Sequence, residues 1–159
     1  MTSNILRIIA AVVFSTLTAM NSASARTLEN RTKAGSDTIL KLNNGKPQAT
    51  LEKIRSEYPF LAEALEAYAL GDVWSRQILD DRTRQLAAVS AFAATGELGM
   101  LRVHAGYALN IGVREEELKE ILYLVTVPAG FPKVIAASQV LSEVIKEHKA
   151  RSVDVDKNG

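Results

Sequence analysis

Apolar positions along most of this chain recur at helical rather than strand spacing. Pro47 stands where a first helical turn would begin, and Leu51, Ile54 and Arg55 follow at helical intervals. Pro59 opens a second helix, in which Leu61, Ala64, Leu65 and Tyr68 form a stripe at i, i+3, i+4 and i+7, with Gly71 as its expected stop. Residues 71–76 are too short and mixed for an element and read as a loop. Asp80 or Asp81 is the expected cap of a helix that runs to Thr95 and stops at Gly96. Its stretch 86–94 is apolar around nearly the whole circumference, which predicts a central position with close neighbours. A further helix over about 97–110 ends at Gly112. The next starts near Arg114, carries Glu115, Glu116 and Glu117 at the positive end of its dipole, and fades at Pro128-Ala129-Gly130. Pro132 begins a last helix to about His148. Residues 26–46 are polar without a sustained period and predict an arm, and residues 149–159 predict a polar tail. No β-branched run alternates long enough for a strand. The expected fold is all-α: one domain of five to six helices over 47–148.

The first 25 residues read differently. They hold no acid and one basic side chain, Arg7, followed by an apolar run from Ile8 to Met20 and the small-residue sequence Asn21-Ser22-Ala23-Ser24-Ala25. This is the pattern of a secretory signal peptide cleaved near Ala25, and the run is shorter than the ~20 residues that span a bilayer. The expectation is an exported protein, periplasmic or secreted, with no stable membrane insertion after cleavage. Composition narrows the chemistry. The 159 residues carry 19 Lys+Arg against 18 Asp+Glu, so no basic excess points to nucleic acid. The chain has no Cys, which excludes disulfides, thiolate metal sites and thiol chemistry. With two His and no ligand spacing such as His-x-x-x-His, no metal is expected, and no Gly-rich phosphate loop points to a nucleotide cofactor.

The helix over 97–110 is the most informative. Steps of three and four from His104 place Glu97, Met100, Leu101, Tyr107, Ala108 and Ile111 on its side. On this apolar face His104 is either a proton-transfer group tuned by desolvation or a hydrogen-bonded core histidine. Arg76, Arg82 and Arg84 flank the start of the preceding helix and either clamp a carboxylate or pair with surface acids. Trp74, the single tryptophan, offers a packing anchor or a substrate platform. Glu120 belongs to a solvated helix start unless Ile121 and Leu124, on its side, draw it inward.

Six segments in order carry a resemblance: 68–76 (YALGDVWSR), 79–86 (LDDRTRQL), 101–104 (LRVH), 108–113 (ALNIGV), 117–122 (ELKEIL) and 129–132 (AGFP). Together they resemble the carboxymuconolactone decarboxylase family of the alkyl hydroperoxidase D-like superfamily, over about residues 47–148. The resemblance implies helices that associate between copies, as a trimeric or hexameric homo-oligomer, with sites near the contacts. The superfamily's hydroperoxidase branch carries a Cys-x-x-Cys pair where this chain has Glu97 and Met100, so the resemblance is to the branch without it. That branch implies cofactor-free decarboxylation, or related proton transfer, on a small carboxylated lactone or oxo acid. Carried over, His104 is the expected proton donor and Glu120 its partner, with Arg76, Arg84 and Trp74 binding substrate. Pro128 stands where the family usually has a Tyr before Ala-Gly-x-Pro, which leaves a non-catalytic small-ligand-binding protein as the alternative.

Overall fold

A computed structural model of the chain describes residues 26–158, with side chains to Val153; the expected export signal, residues 1–25, lies outside the described residues. The described chain is all-helical. Thr27 caps the first helix, α1 (Leu28–Leu42), by accepting the Asn30 N–H at 3.2 Å. The polar arm expected over 26–46 is thus a helix. Its buried residues, Gly35, Ile39 and Leu42, recur at i, i+4 and i+7, but a stripe with glycine in it is invisible to a count of apolar side chains. Gln48 caps α2 (Ala49–Glu57), and Pro59 begins α3 (Pro59–Ala64).

Here the chain departs from the expected stop and loop. It continues from α3 without a break as a π-helical segment, Leu65–Trp74, through Gly71. Gly71 does not end the helix because it is a contact point: any Cβ there would overlap the Arg31 carbonyl of α1, and a Cβ on Gly35 would overlap the Glu66 carbonyl. The two glycines let the backbones of α1 and the π segment touch. The pairing is reinforced by Arg31 on Asp72 (2.8 Å from Nε) and by Arg26 donating to the Gly71 carbonyl at 3.0 Å. At its centre lies Glu66, a carboxylate only 2% exposed. Arg55 of α2 grips both of its oxygens, at 2.7 and 2.9 Å, and the Ser36 hydroxyl donates to one of them at 3.2 Å. These donors hold the Glu66 carboxyl below its ordinary pKa, against the opposing effect of burial.

The second half follows the expected boundaries. Asp80 caps α4 (Asp81–Thr95) through the Thr83 N–H at 2.6 Å, and Gly96 ends it at φ 83°. Then come α5 (Leu98–Asn110), α6 (Glu115–Ala129) and α7 (Phe131–Asn158). Among the described residues there are seven α-helices, one beyond the five to six expected over 47–148 because α1 forms in the segment read as an arm. The polar tail expected from residue 149 is instead the end of α7. It meets no breaker before Asn158, and Lys149 pairs with Glu115 at 2.6 Å. Pro128 sits exposed in the last turn of α6, where little of the helix remains to be disrupted.

Helices α4–α7 enclose one apolar core, including Val89, Leu101, Leu118, Val125 and Leu141. A smaller cluster of Ile39, Leu42, Leu51, Ala62, Leu70 and Tyr107 joins the N-terminal elements to α5. Within one chain α4 is covered on the side of Gln85, Val89 and Ala93, while Ala87 and Ala91 face out.

Candidate functional site

The two clusters meet at α5, and the seam holds His104. The imidazole is 7% exposed and stacks between two rings: Trp74 at 5.0 Å between centroids and Phe92 at 5.1 Å, with Tyr107 edge-on at 5.8 Å. Trp74 reaches it because of the π winding. At about 100° per residue an α-helix would put Leu65 and Trp74 on opposite sides. The wider i→i+5 winding, roughly 82° per residue, brings them onto the same side.

Burial drives the His104 pKa down to about 4, so the ring is neutral at pH 7. Its Nδ1 lies 2.9 Å from Oε1 of Gln85, a fully buried residue of α4. A carboxamide oxygen only accepts, so Nδ1–H donates and Nε2 is left as the proton-accepting atom. The Gln85 Nε2 and the Tyr107 hydroxyl are buried without a hydrogen-bond partner among the described residues. Burial also pushes the Tyr107 phenol upward, so it stays protonated.

Beside this stack lies a cavity of about 270 Å³. The π segment (Leu65, Ala69, Leu70, Trp74), α4 (Phe92) and α5 (Met100, Val103, His104, Tyr107) form most of its wall. Ile39 of α1 and Gln48, Thr50, Leu51 and Ile54 at the start of and along α2 complete it. No Asp, Glu, Lys or Arg lines it. The surface is mostly hydrocarbon and aromatic ring, with His104 as its basic side chain.

Of the residues singled out in the sequence, His104 and Trp74 are brought together here and the others are not. Arg84 is committed to the backbone. Its guanidinium donates to the carbonyls of Val73, Arg76 and Leu79, at 3.3, 2.7 and 3.2 Å, and so staples the turn between the π segment and α4. Arg76 is exposed outside the cavity, and its carbonyl is one of those three acceptors. Arg82 pairs with Glu117 on the surface. Glu120 is exposed on α6, because the side it shares with Leu124, itself 62% exposed, points out of the chain. Leu118, Leu122 and Val125 turn inward instead. Within this chain the hydrogen-bond partner of His104 is Gln85. A signal for Gln85 was present: Gln85, Val89 and Ala93 recur at i, i+4 and i+8, which puts a polar residue on the buried side of the most apolar helix. Phe92 and Tyr107 were visible only as core candidates.

With the geometry in place, comparison with known proteins adds an independent line. A sequence model described as the carboxymuconolactone decarboxylase family matches residues 59–143. The chain is 36% identical over 83 residues to 4-carboxymuconolactone decarboxylase of Acinetobacter baylyi, covering 52% of this chain and 62% of that protein. It is 30% identical over 97 residues to the nitrosuccinic acid decarboxylase of Metarhizium robertsii, covering 59% and 68%. An uncharacterized protein of Methanocaldococcus jannaschii is 26% identical over 98 residues, or 62% and 91%. The chain thus spans somewhat less than two thirds of the bacterial decarboxylase. The matched family segment begins at Pro59, so α1 and α2 precede it.

Proposed function

Because the chain belongs to the carboxymuconolactone decarboxylase family, we propose that it is a decarboxylase-like lyase that removes CO2 from a small carboxylic acid in the cavity beside His104. Two of the relatives named above are decarboxylases of small acids with a second electron-withdrawing group, a lactone in one name and a nitro group in the other. Such a group delocalises the electron pair left when CO2 departs. The thiol route of the wider superfamily is closed, since the chain has no Cys and Met100 lines the cavity at one of the positions compared with the Cys pair.

The observation that carries this reading is the neutral, tethered imidazole in an uncharged cavity. A cavity without a cation admits an acid most readily together with its proton. Nε2 of His104 accepts the carboxyl proton, leaving a carboxylate beside an imidazolium, so the pair stays neutral overall. The apolar wall favours the spread charge of the transition state over the compact carboxylate. The C–C bond breaks, CO2 leaves, and the carbanion takes the proton back from Nε2. The sum is RCOOH to RH and CO2, with His104 regenerated. Gln85 steadies the ring throughout, and its bond from Nδ1–H strengthens as the imidazolium forms. Arg84, Arg76 and Glu120 have no part in this scheme within one chain.

The same lack of a cavity cation favours, as a second reading, a protein that only binds an uncharged ligand. One experiment separates them: CO2 release from a panel of lactone, oxo and nitro carboxylic acids by the wild type and by His104→Ala. Turnover by the wild type that falls ~10²-fold or more in the variant is expected of a proton-transfer residue. Unchanged turnover removes His104 from the mechanism, and binding without turnover leaves the second reading. The exposed Tyr123, Leu124, Val127, Phe131 and Ile135 along α6 and the start of α7 support the homo-oligomer that the resemblance implies.

A further inference from the structure

The site is not built by the family segment alone. The π segment, α4 and α5, all within it, supply the Trp74–His104–Phe92 stack and most of the cavity wall. The rest comes from Ile39 of α1 and from α2, which precede that segment, and α2 carries Thr50, Leu51 and Ile54 on one face at i, i+1 and i+4. Leu51 is buried in the small core, so Ile54, half-buried against that core, and Thr50, exposed at the rim, are the α2 side chains that border the opening. Position along this side is well determined. Arg55, the neighbour of Ile54, is locked onto Glu66 of the π segment, the same element that carries Trp74. The wall and the aromatic platform are therefore tied to one another across the cavity.

Resting on the reading of this cavity as the substrate site, we propose that α2 is its specificity-determining wall: Ile54 and Thr50 set how large a ring can lie against Trp74 and His104. The size of that ring follows from volume. A cavity of about 150 Å³ lined by apolar side chains takes up benzene. At about 270 Å³, this one holds, in proportion, roughly ten or eleven non-hydrogen atoms. Its lining is uncharged and its flanking rings are flat. The substrate class is accordingly a planar, unsaturated cyclic carboxylic acid, either two fused rings or one ring with substituents, whose polar edge meets His104.

The test uses the purified full-length chain and two uncharged probes, phenol and the fused-ring 2-naphthol, with affinities measured by calorimetry and helicity by circular dichroism. Trp74→Ala marks binding at this site and should weaken both probes. Ile54→Trp narrows the wall and should weaken 2-naphthol at least tenfold while leaving phenol within about threefold. Thr50→Trp, at an exposed position that tolerates a large side chain, should shift the preference the same way and carries the test if Ile54→Trp loses helicity. Binding that depends on Trp74 but is indifferent to both α2 substitutions overturns this inference and leaves the cavity reading standing. If neither probe binds in a Trp74-dependent way, the cavity reading itself falls and takes the inference with it.

Discussion

The half of the molecule formed by α4–α7 and the half formed by α1–α3 with the π segment are held together by different physics. In α4–α7 the buried contacts are aliphatic, from Val89 and Leu101 through Leu118 to Leu141, and the buried polar pair is Gln85 with His104. In the N-terminal half the helices approach through backbone at Gly35 and Gly71, and the buried centre is an ion pair, Glu66 with Arg55. Aliphatic burial is tolerant of shape and indifferent to pH. Backbone contact and a buried charge are tolerant of neither. The family segment contains most of the first kind of half and only part of the second. The side of the site that the chain adds is thus the one fixed by stringent geometry.

The sharpest way to break this contrast is a pair of substitutions. Gly71→Val forces a side chain into the Arg31 carbonyl and should cost ~3 kcal/mol or more. Leu118→Ala opens a hole in the other core at a similar cost, within about 2–5 kcal/mol. The two should part in Trp74 fluorescence, which changes in the native state of the first and not of the second. Equal emission from both would show that the halves are one mechanical unit.

Next in size is the response to acid, which addresses the seam itself. The His104 pKa is about 4 when folded and near 6.5 when unfolded. Between those values the unfolded chain binds more protons, so stability falls as the pH drops through that window, by at most about 3 kcal/mol. Glu66 acts lower: its depressed pKa adds stability above about 4.5, the unfolded value, which is lost as the pH falls through the folded value. Urea denaturation at a series of pH values should show both limbs, and His104→Phe should remove most of the upper one, leaving the part due to His148, whose pKa partial burial also lowers. An unaltered upper limb in that variant would assign it to another group.

Smallest is the ion pair taken alone. Arg55→Met leaves Glu66 buried without its partner and should cost about 2 kcal/mol, less than a fully buried pair because Arg55 is partly solvated. Combining it with Glu66→Leu should recover most of the loss, measured by the same denaturation. Failure to recover would mean that the pair sets the conformation of the π segment and does more than neutralise a charge.

How much of this was readable in advance follows the same division. The Asp80 cap, the Gly96 stop and the acid-led start of α6 were legible because each depends on a few adjacent residues and local backbone geometry. The helix at 28–42 was not, since its inward stripe is completed by a glycine whose role exists only against Glu66, 31 residues further on. Trp74 was placed in a loop because its helix has the wrong period for an α-helical reading. His104 is marked by its apolar face, whereas its hydrogen-bond partner within the chain is a carboxamide on the neighbouring helix, 19 residues earlier, which the spacing around His104 does not reach.

By itself, then, the order of residues settled the all-helical class, the sites where most helices begin, the closed thiol route and the imidazole worth examining. Those follow from local propensity and residue chemistry, which act over a turn or two of helix. Only the packed chain decided that Arg84 staples a turn, that Gln85 lies against His104 within the chain, and that Trp74 faces it. Each of those depends on which atoms remain when water is excluded, and that is determined between segments rather than within them.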